Sequence, residues 1–132
     1  MNDRLKTIVD LEKYSIQDLN SPEIKEIIKK CKSDLDQFSC ATIPNFILRK
    51  SLKIMNTELE KQIGKVYMSK KSINAYLYSK DDPALAKDHP KRTFMKRDNG
   101  YLNSDLFDNN SEMKFLYEQE ELLKFVSACL GI

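Results

Sequence analysis

Apolar residues recur with a helical period in three stretches of this chain. In NSPEIKEIIKKCKSDL, Ile24, Ile27, Ile28, Cys31 and Leu35 fall at i, i+3, i+4, i+7 and i+11, one stripe of an amphipathic helix. Ser21 is a good N-cap ahead of it, and Pro22 fits the first turn, where its missing N–H costs nothing. Glu23 and Glu26 complement the positive end of the helix dipole. A second stripe, Leu48, Leu52, Met55, Leu59 and Ile63, predicts a helix over 48–63 with Gly64 as its stop. Near the end, Ser111 caps a short helix carrying Phe115 and Leu116, and Leu122, Leu123, Phe125, Val126 and Cys129 predict a final helix over 119–130. Gly131 suits the left-handed position that closes such a helix, with Ile132 folding back on Val126.

Between these stripes the pattern favours extended chain and turns. In FSCATIPNFI, β-branched and aromatic residues precede Pro44, which disfavours helix at the residue before it, so a short strand is expected over 38–43. The run VYMSKKSINAYLY reads as extended chain interrupted by lysines, with a strand expected between 66 and 78. DDPALAKDHPKR, residues 81–92, holds Asp-Pro and His-Pro steps and predicts an ordered loop. The sum is a mainly α chain with a few short strands, organised as one helical-rich domain over 1–132.

Composition narrows the class. At 132 residues a compact chain buries roughly two thirds of its unfolded surface, enough for one real core. Apolar residues make up 41% and charged residues 32%, a globular balance. No stretch approaches the ~20 apolar residues of a membrane span, and MNDRLKTIVD has no uninterrupted apolar signal core, so a cytoplasmic protein is expected. A net charge of +2 is too small to imply a nucleic-acid partner. The local cluster Lys91, Arg92, Lys96 and Arg97 lacks the interleaved aromatics of a single-strand platform and reads as a solvated face. Cys31, Cys40 and Cys129 form no CxxC pair and read as reduced core thiols.

The chemistry open to such a chain is limited by its single histidine, His89. One imidazole cannot supply the two-histidine, one-carboxylate triad of a non-haem iron site, so no metal ligands and no catalytic residues are assigned. The scattered glycines offer no phosphate loop, and a Cys–His pair is disfavoured because Cys31 and Cys129 lie on apolar helix faces. Adjacent acids such as Asp81 and Asp82 do not face one another on a helix and read as solvated charge. His89 keeps two readings: a turn residue bonded to nearby backbone or solvent, or part of a pocket wall with Arg92, Asn74 and Tyr76 that orients a charged small molecule.

The order of segments adds a family resemblance. YSIQDLNSPEIKEIIKKCKSDLDQFSCATIPNFI, then SINAYLYSKDDPALAKDHPKR, then NGYLNSDLF, then SEMKFLYEQEELLKFVSACLGI resembles the N-terminal part of the Fe(II)/2-oxoglutarate-dependent oxygenases that halogenate or hydroxylate free amino acids such as lysine. It spans about Tyr14 to Gly131. The resemblance implies a mainly helical part covering a double-stranded β-helix absent from this chain, where the family's H-x-D or H-x-G motif lies. It implies Fe(II) and 2-oxoglutarate as cofactors of a complete enzyme and none held by this chain. The D-P and D-H-P-x-R elements match the family's loop pattern, so a substrate-shaping role carries over to Asn74, Tyr76, His89 and Arg92.

The expected function is therefore the substrate-covering portion of such an oxygenase or halogenase, acting on an amino acid or similar small molecule and inactive alone. Truncation, a split gene and a naturally short relative are all compatible with that reading. Its expected partners are a β-helix catalytic segment, the amino-acid substrate and, through exposed apolar surface, a homo-oligomer, with no membrane or nucleic acid. The alternative is a small non-catalytic helical interaction protein.

Overall fold

The computed structural model describes residues 3–132. Five α-helices, α1 (Leu5–Ile8), α2 (Pro22–Phe38), α3 (Arg49–Gln62), α4 (Glu112–Tyr117) and α5 (Glu120–Leu130), and two strands, β1 (Tyr67–Ile73) and β2 (Met95–Tyr101), make up the described chain. Packing divides it into two compact units, one built from the chain up to Lys61 together with Phe107–Ile132, the other from Gln62–Leu106.

The helical unit is organised by apolar burial. Leu5, Ile8, Val9 and Ile24 are fully enclosed, Phe125 is 2% exposed, and Cys31, Met55, Leu116 and Cys129 complete the cluster. Fully burying a side chain of this kind contributes about 1.5–3 kcal/mol. Ser21 caps α2 as its sequence predicts, accepting from the Ile24 N–H at 3.4 Å, and Ser111 caps α4 by accepting from the Lys114 N–H at 3.2 Å. Gly131 takes the left-handed conformation, φ 76°, that ends α5.

α1 is a single turn tied into place by polar contacts. Arg4 donates to the carbonyls of Asn109, Asn110 and Ser111 at 3.0, 2.6 and 3.1 Å, and its guanidinium lies 4.3 Å from the centre of the Phe115 ring. The start of the chain is thereby joined to the start of α4. Glu58 of α3 reaches the same turn: its carboxylate accepts from the Ser111 hydroxyl at 2.7 Å and from the Glu112 N–H at 3.0 Å, adding to the Ser111 cap by satisfying a further donor at the helix start.

The second unit is a β-hairpin with a long loop. β1 and β2 pair antiparallel from Tyr67 opposite Tyr101 to Ile73 opposite Met95, and residues 74–94 connect them. Opposite Met68 stands Gly100, where an added Cβ would come within 2.8 Å of the Val66 side chain and force it to shift. Asn74, 2% exposed, is the only buried residue of this unit.

Several expectations are corrected. The view of the chain as a mainly helical cover for a missing double-stranded β-helix is overturned: the described residues form a small α+β structure of five α-helices and one two-stranded sheet, and its helices close an apolar core among themselves. The strand expected over 38–43 does not form. α2 continues through Phe38, whose ring is 70% exposed, and ends at Ser39 in the left-handed region with its N–H on the Leu35 carbonyl. The chain over 41–48 is held instead by a single antiparallel bridge between Val9 and Ile47, and by Phe46, which stacks on Phe125 with ring centres 5.9 Å apart.

The expected stripe of α3 is also rotated. Ser51 and Met55 face inward while Leu52 and Ile63 are exposed, because the Ser51 hydroxyl donates to the Thr7 carbonyl at 2.9 Å and anchors that face. Gly64 lies in a 3-10 turn, Ile63–Lys65, that tightens the end of the helix, and its φ is not positive. Ile132, 88% exposed, does not fold back on Val126. Cys31 and Cys129 are buried as expected, but Cys40 is exposed.

Candidate functional site

The loop joining β1 to β2 carries all four residues that the sequence singles out, and Asn74 is its hub. The Asn74 side-chain oxygen accepts from the N–H groups of Tyr76 and Tyr78, each at 3.0 Å, and its amide nitrogen donates to the Lys91 carbonyl at 2.5 Å. Its backbone N–H donates to the Tyr78 carbonyl and its own carbonyl accepts from the Leu77 N–H. These bonds curl residues 74–78 into a tight turn in which Leu77 takes φ 66°. Asparagine suits such a place because its short amide can replace a backbone partner.

Arg92 holds the other side of the loop. Its Nε and one terminal nitrogen donate to the two Asp81 carboxylate oxygens at 2.9 and 2.8 Å, a bidentate pair, and the other terminal nitrogen donates to the Leu85 carbonyl at 2.9 Å. The hydrogen bond from Arg92 holds the Asp81 carboxyl below its ordinary range, and the same bond raises the guanidinium in return. His89 opens the 3-10 turn Pro90–Arg92, where its Nδ1 accepts from the Lys91 N–H at 3.1 Å. Tyr76 is exposed, with the Lys91 ammonium 5.7 Å from its ring centre. Asp82 starts a turn by accepting from the Ala84 N–H, and its carbonyl accepts from Leu85.

A cavity of about 400 Å³ opens beside this hub, lined by Asn74, Tyr78, Ser79, Lys80, Asp82 and Lys91. Of the four sequence candidates only Asn74 lines it, while Tyr76, His89 and Arg92 shape the loop around it. The lining contributed by Ser79, Lys80, Asp82 and Lys91 has a faint sequence signal, since alternating charge beside prolines is also the signature of an ordinary solvated turn.

In the helical unit, a broader apolar groove of about 970 Å³ is lined by Ile43, Phe46, Leu52, Leu122 and Val126 among others, with Asp10 and Arg49 in the same lining. Beside it, Leu123, Val126 and Leu130 form an exposed stripe along α5.

The iron implied by the resemblance does not fit the described residues. No group of three His, Cys, Asp or Glu side chains converges among them, and His89 already spends Nδ1 on the backbone. Among the described residues no helix is long and apolar enough to cross a membrane. Comparison with protein-family models, curated proteins and solved structures gives no match to this chain.

Proposed function

We propose that this chain is a non-catalytic, substrate-side portion of a cytoplasmic non-haem Fe(II)/2-oxoglutarate-dependent oxygenase or halogenase, and that the loop over 74–92 holds an amino acid or similar small molecule. One observation carries the reading: the cavity beside Asn74 presents both signs of charge in a space of about 400 Å³. Lys80 and Lys91 suit a carboxylate, Asp82 suits an ammonium, and Asn74, Tyr78 and Ser79 add neutral hydrogen-bonding groups, the donor set that a zwitterion requires. Because the loop is already tied by Asn74 and by the Arg92–Asp81 pair, little ordering is left to be done on binding.

In a complete enzyme of this kind, iron and 2-oxoglutarate supply the oxygen activation and hydrogen abstraction. Their protein ligands come from a catalytic partner segment under this proposal. This chain contributes binding and orientation.

The test is a titration of the full chain with L-lysine and other free amino acids, followed by backbone amide NMR. Shifts at Asn74, Ser79, Lys80, Asp82 and Lys91, weakened in Asp82→Asn, are expected. Absence of shifts at those positions with every amino acid overturns the binding role. Succinate formed by the chain with Fe(II) and 2-oxoglutarate, above a metal-free control, overturns its non-catalytic assignment.

A second reading, a non-catalytic interaction protein, is favoured by the apolar groove of the helical unit. Seven of the eleven residues of α5 are apolar, more than one buried face needs. The occupant that fits is a second copy of the chain: Leu123, Val126 and Leu130 offer a ridge beside the groove, and Asp10 and Arg49 in one lining become two opposite-charge pairs across a two-fold axis. Light scattering tests this contact: a dimer abolished by Leu123→Lys supports the groove as its interface, and a monomer rejects that dimer.

A further inference from the structure

The hairpin conceals a charge asymmetry that the whole-chain balance masks. Residues 62–106 hold nine basic and five acidic side chains, net +4, whereas the rest of the chain holds thirteen basic and fifteen acidic, net −2. Along a strand, alternate side chains share a face. One face of the hairpin therefore carries four cross-strand pairs in sequence: Tyr67 opposite Tyr101, Ser69 opposite Asn99, Lys71 opposite Arg97 and Ile73 opposite Met95. Like charges placed directly opposite each other weaken a sheet. Among the described residues neither Lys71 nor Arg97 makes an ion pair, and no acid shares those register positions on this face.

The same face is concave and organised. A cavity of about 250 Å³ is lined by Ser69, Lys71, Arg97, Asn99 and Tyr101, with Ile73 and Leu77 as its apolar wall. With its amide turned so that the oxygen faces Arg97, Asn99 accepts from Arg97 Nε and from the Tyr101 hydroxyl, each at 3.0 Å. That bond orients the guanidinium and leaves its terminal nitrogens available. Leu77 is held at φ 66°, an unusual conformation for a branched residue, and is still exposed.

We propose that this face binds a nucleoside phosphate, with the phosphate between Lys71 and Arg97 and the base lying on Tyr101. The paired cations suit a phosphate, for which arginine gives a planar fork and lysine a point charge. An exposed tyrosine beside them supplies the stacking surface that a flat base uses. The Lys70–Asp98 pair on the opposite face is already complementary in charge, so the two faces differ in what they can attract. The site is separate from the cavity beside Asn74 and does not depend on the reading given to it.

The experiment is calorimetric titration of the full chain with adenosine monophosphate, inorganic phosphate and a single-stranded oligonucleotide at low salt. The nucleotide is expected to bind, and Lys71→Gln with Arg97→Gln to weaken it by about tenfold or more. Tyr101→Leu weakens the nucleotide and leaves inorganic phosphate unchanged. The control pair Lys70→Gln with Lys96→Gln removes the same charge from the other face and retains binding, which separates a site from general attraction. An oligonucleotide that binds more tightly than the mononucleotide, with affinity falling steeply in salt, identifies a strand as the source of the phosphate, and equal affinity identifies a free nucleotide. No nucleotide binding, or equal loss in both double variants while backbone amide NMR shows the hairpin intact, overturns the proposal.

Discussion

In the helical unit Leu5, Ile8, Val9, Ile24 and Phe125 are shut away from water, whereas in residues 62–106 the one buried side chain is the amide of Asn74. The first arrangement is non-directional: its driving force is the apolar area that leaves water rather than the angle of any one contact. The second depends on direction, because each hydrogen bond to Asn74 is satisfied by a particular backbone group and is lost if that group moves. A two-stranded hairpin is marginal by itself, so a polar hub and an ion pair must hold what an apolar core does elsewhere. The difference is one of means: apolar burial holds the helical unit, and directed polar contacts hold the hairpin.

The largest expected effect that tests this contrast comes from Phe125→Ala. Removing the ring, which stacks on Phe46, leaves a cavity in the helical core and costs about 3–5 kcal/mol, read from the midpoint of urea unfolding. Asn74→Ala leaves the Tyr76 and Tyr78 N–H groups and the Lys91 carbonyl without their partner, a loss of about 1–3 kcal/mol confined to the hairpin unit. Hydrogen exchange should quicken at Tyr78 while amides of α2 and α5 keep their protection. Uniform loss across both units would break the contrast.

A smaller effect is expected from acid. Because the hydrogen bond from Arg92 lowers the Asp81 pKa from 3.8, the ordered loop binds that proton more weakly than the unfolded chain does. Its contribution is present above 3.8 and is lost as pH falls through the lowered value. NMR titration of the Asp81 carboxyl should show the low midpoint, and Arg92→Gln should return it toward the ordinary one. The Asp81 carboxylate is exposed to solvent, so the effect on global stability is slight.

The mildest test concerns the thiols. Burial, reinforced by the neighbouring Cys31, pushes the Cys129 thiol up to about 12, so it stays protonated at neutral pH. A folded pKa raised from 9.0 contributes stability that is present below 9.0 and is lost as pH rises toward 12. At pH 8 an aromatic disulfide reagent should modify exposed Cys40 first, and Cys129 only as the helical unit opens.

How much of this was legible in the sequence follows the same divide. α2, α4 and α5 announced themselves because apolar stripes and the caps Ser21, Ser111 and Gly131 act locally, within one turn of the helix. α1 went unread because four residues cannot display a period, and its place depends on Arg4 reaching residues 109–111. β2, MKRDNGY, escaped notice because both of its faces are largely exposed and no apolar alternation marks it. In the loop, the sequence pointed to Asn74, Tyr76, His89 and Arg92, but it could not show that Asn74 is buried or that Arg92 is bound to Asp81. Those facts arise from pairings between residues 11 and 17 positions apart.

Glu58 and Ser111 touch, and the whole hairpin is strung between them. A segment inserted between two residues in contact can be treated as a cartridge. Grafting a different loop between positions 61 and 107, or joining them by a brief spacer, asks little of the surrounding helices, since closure entropy changes only slowly with the length of the inserted chain. The architecture thus lends itself to exchanging the inserted segment while the helical unit stays the same.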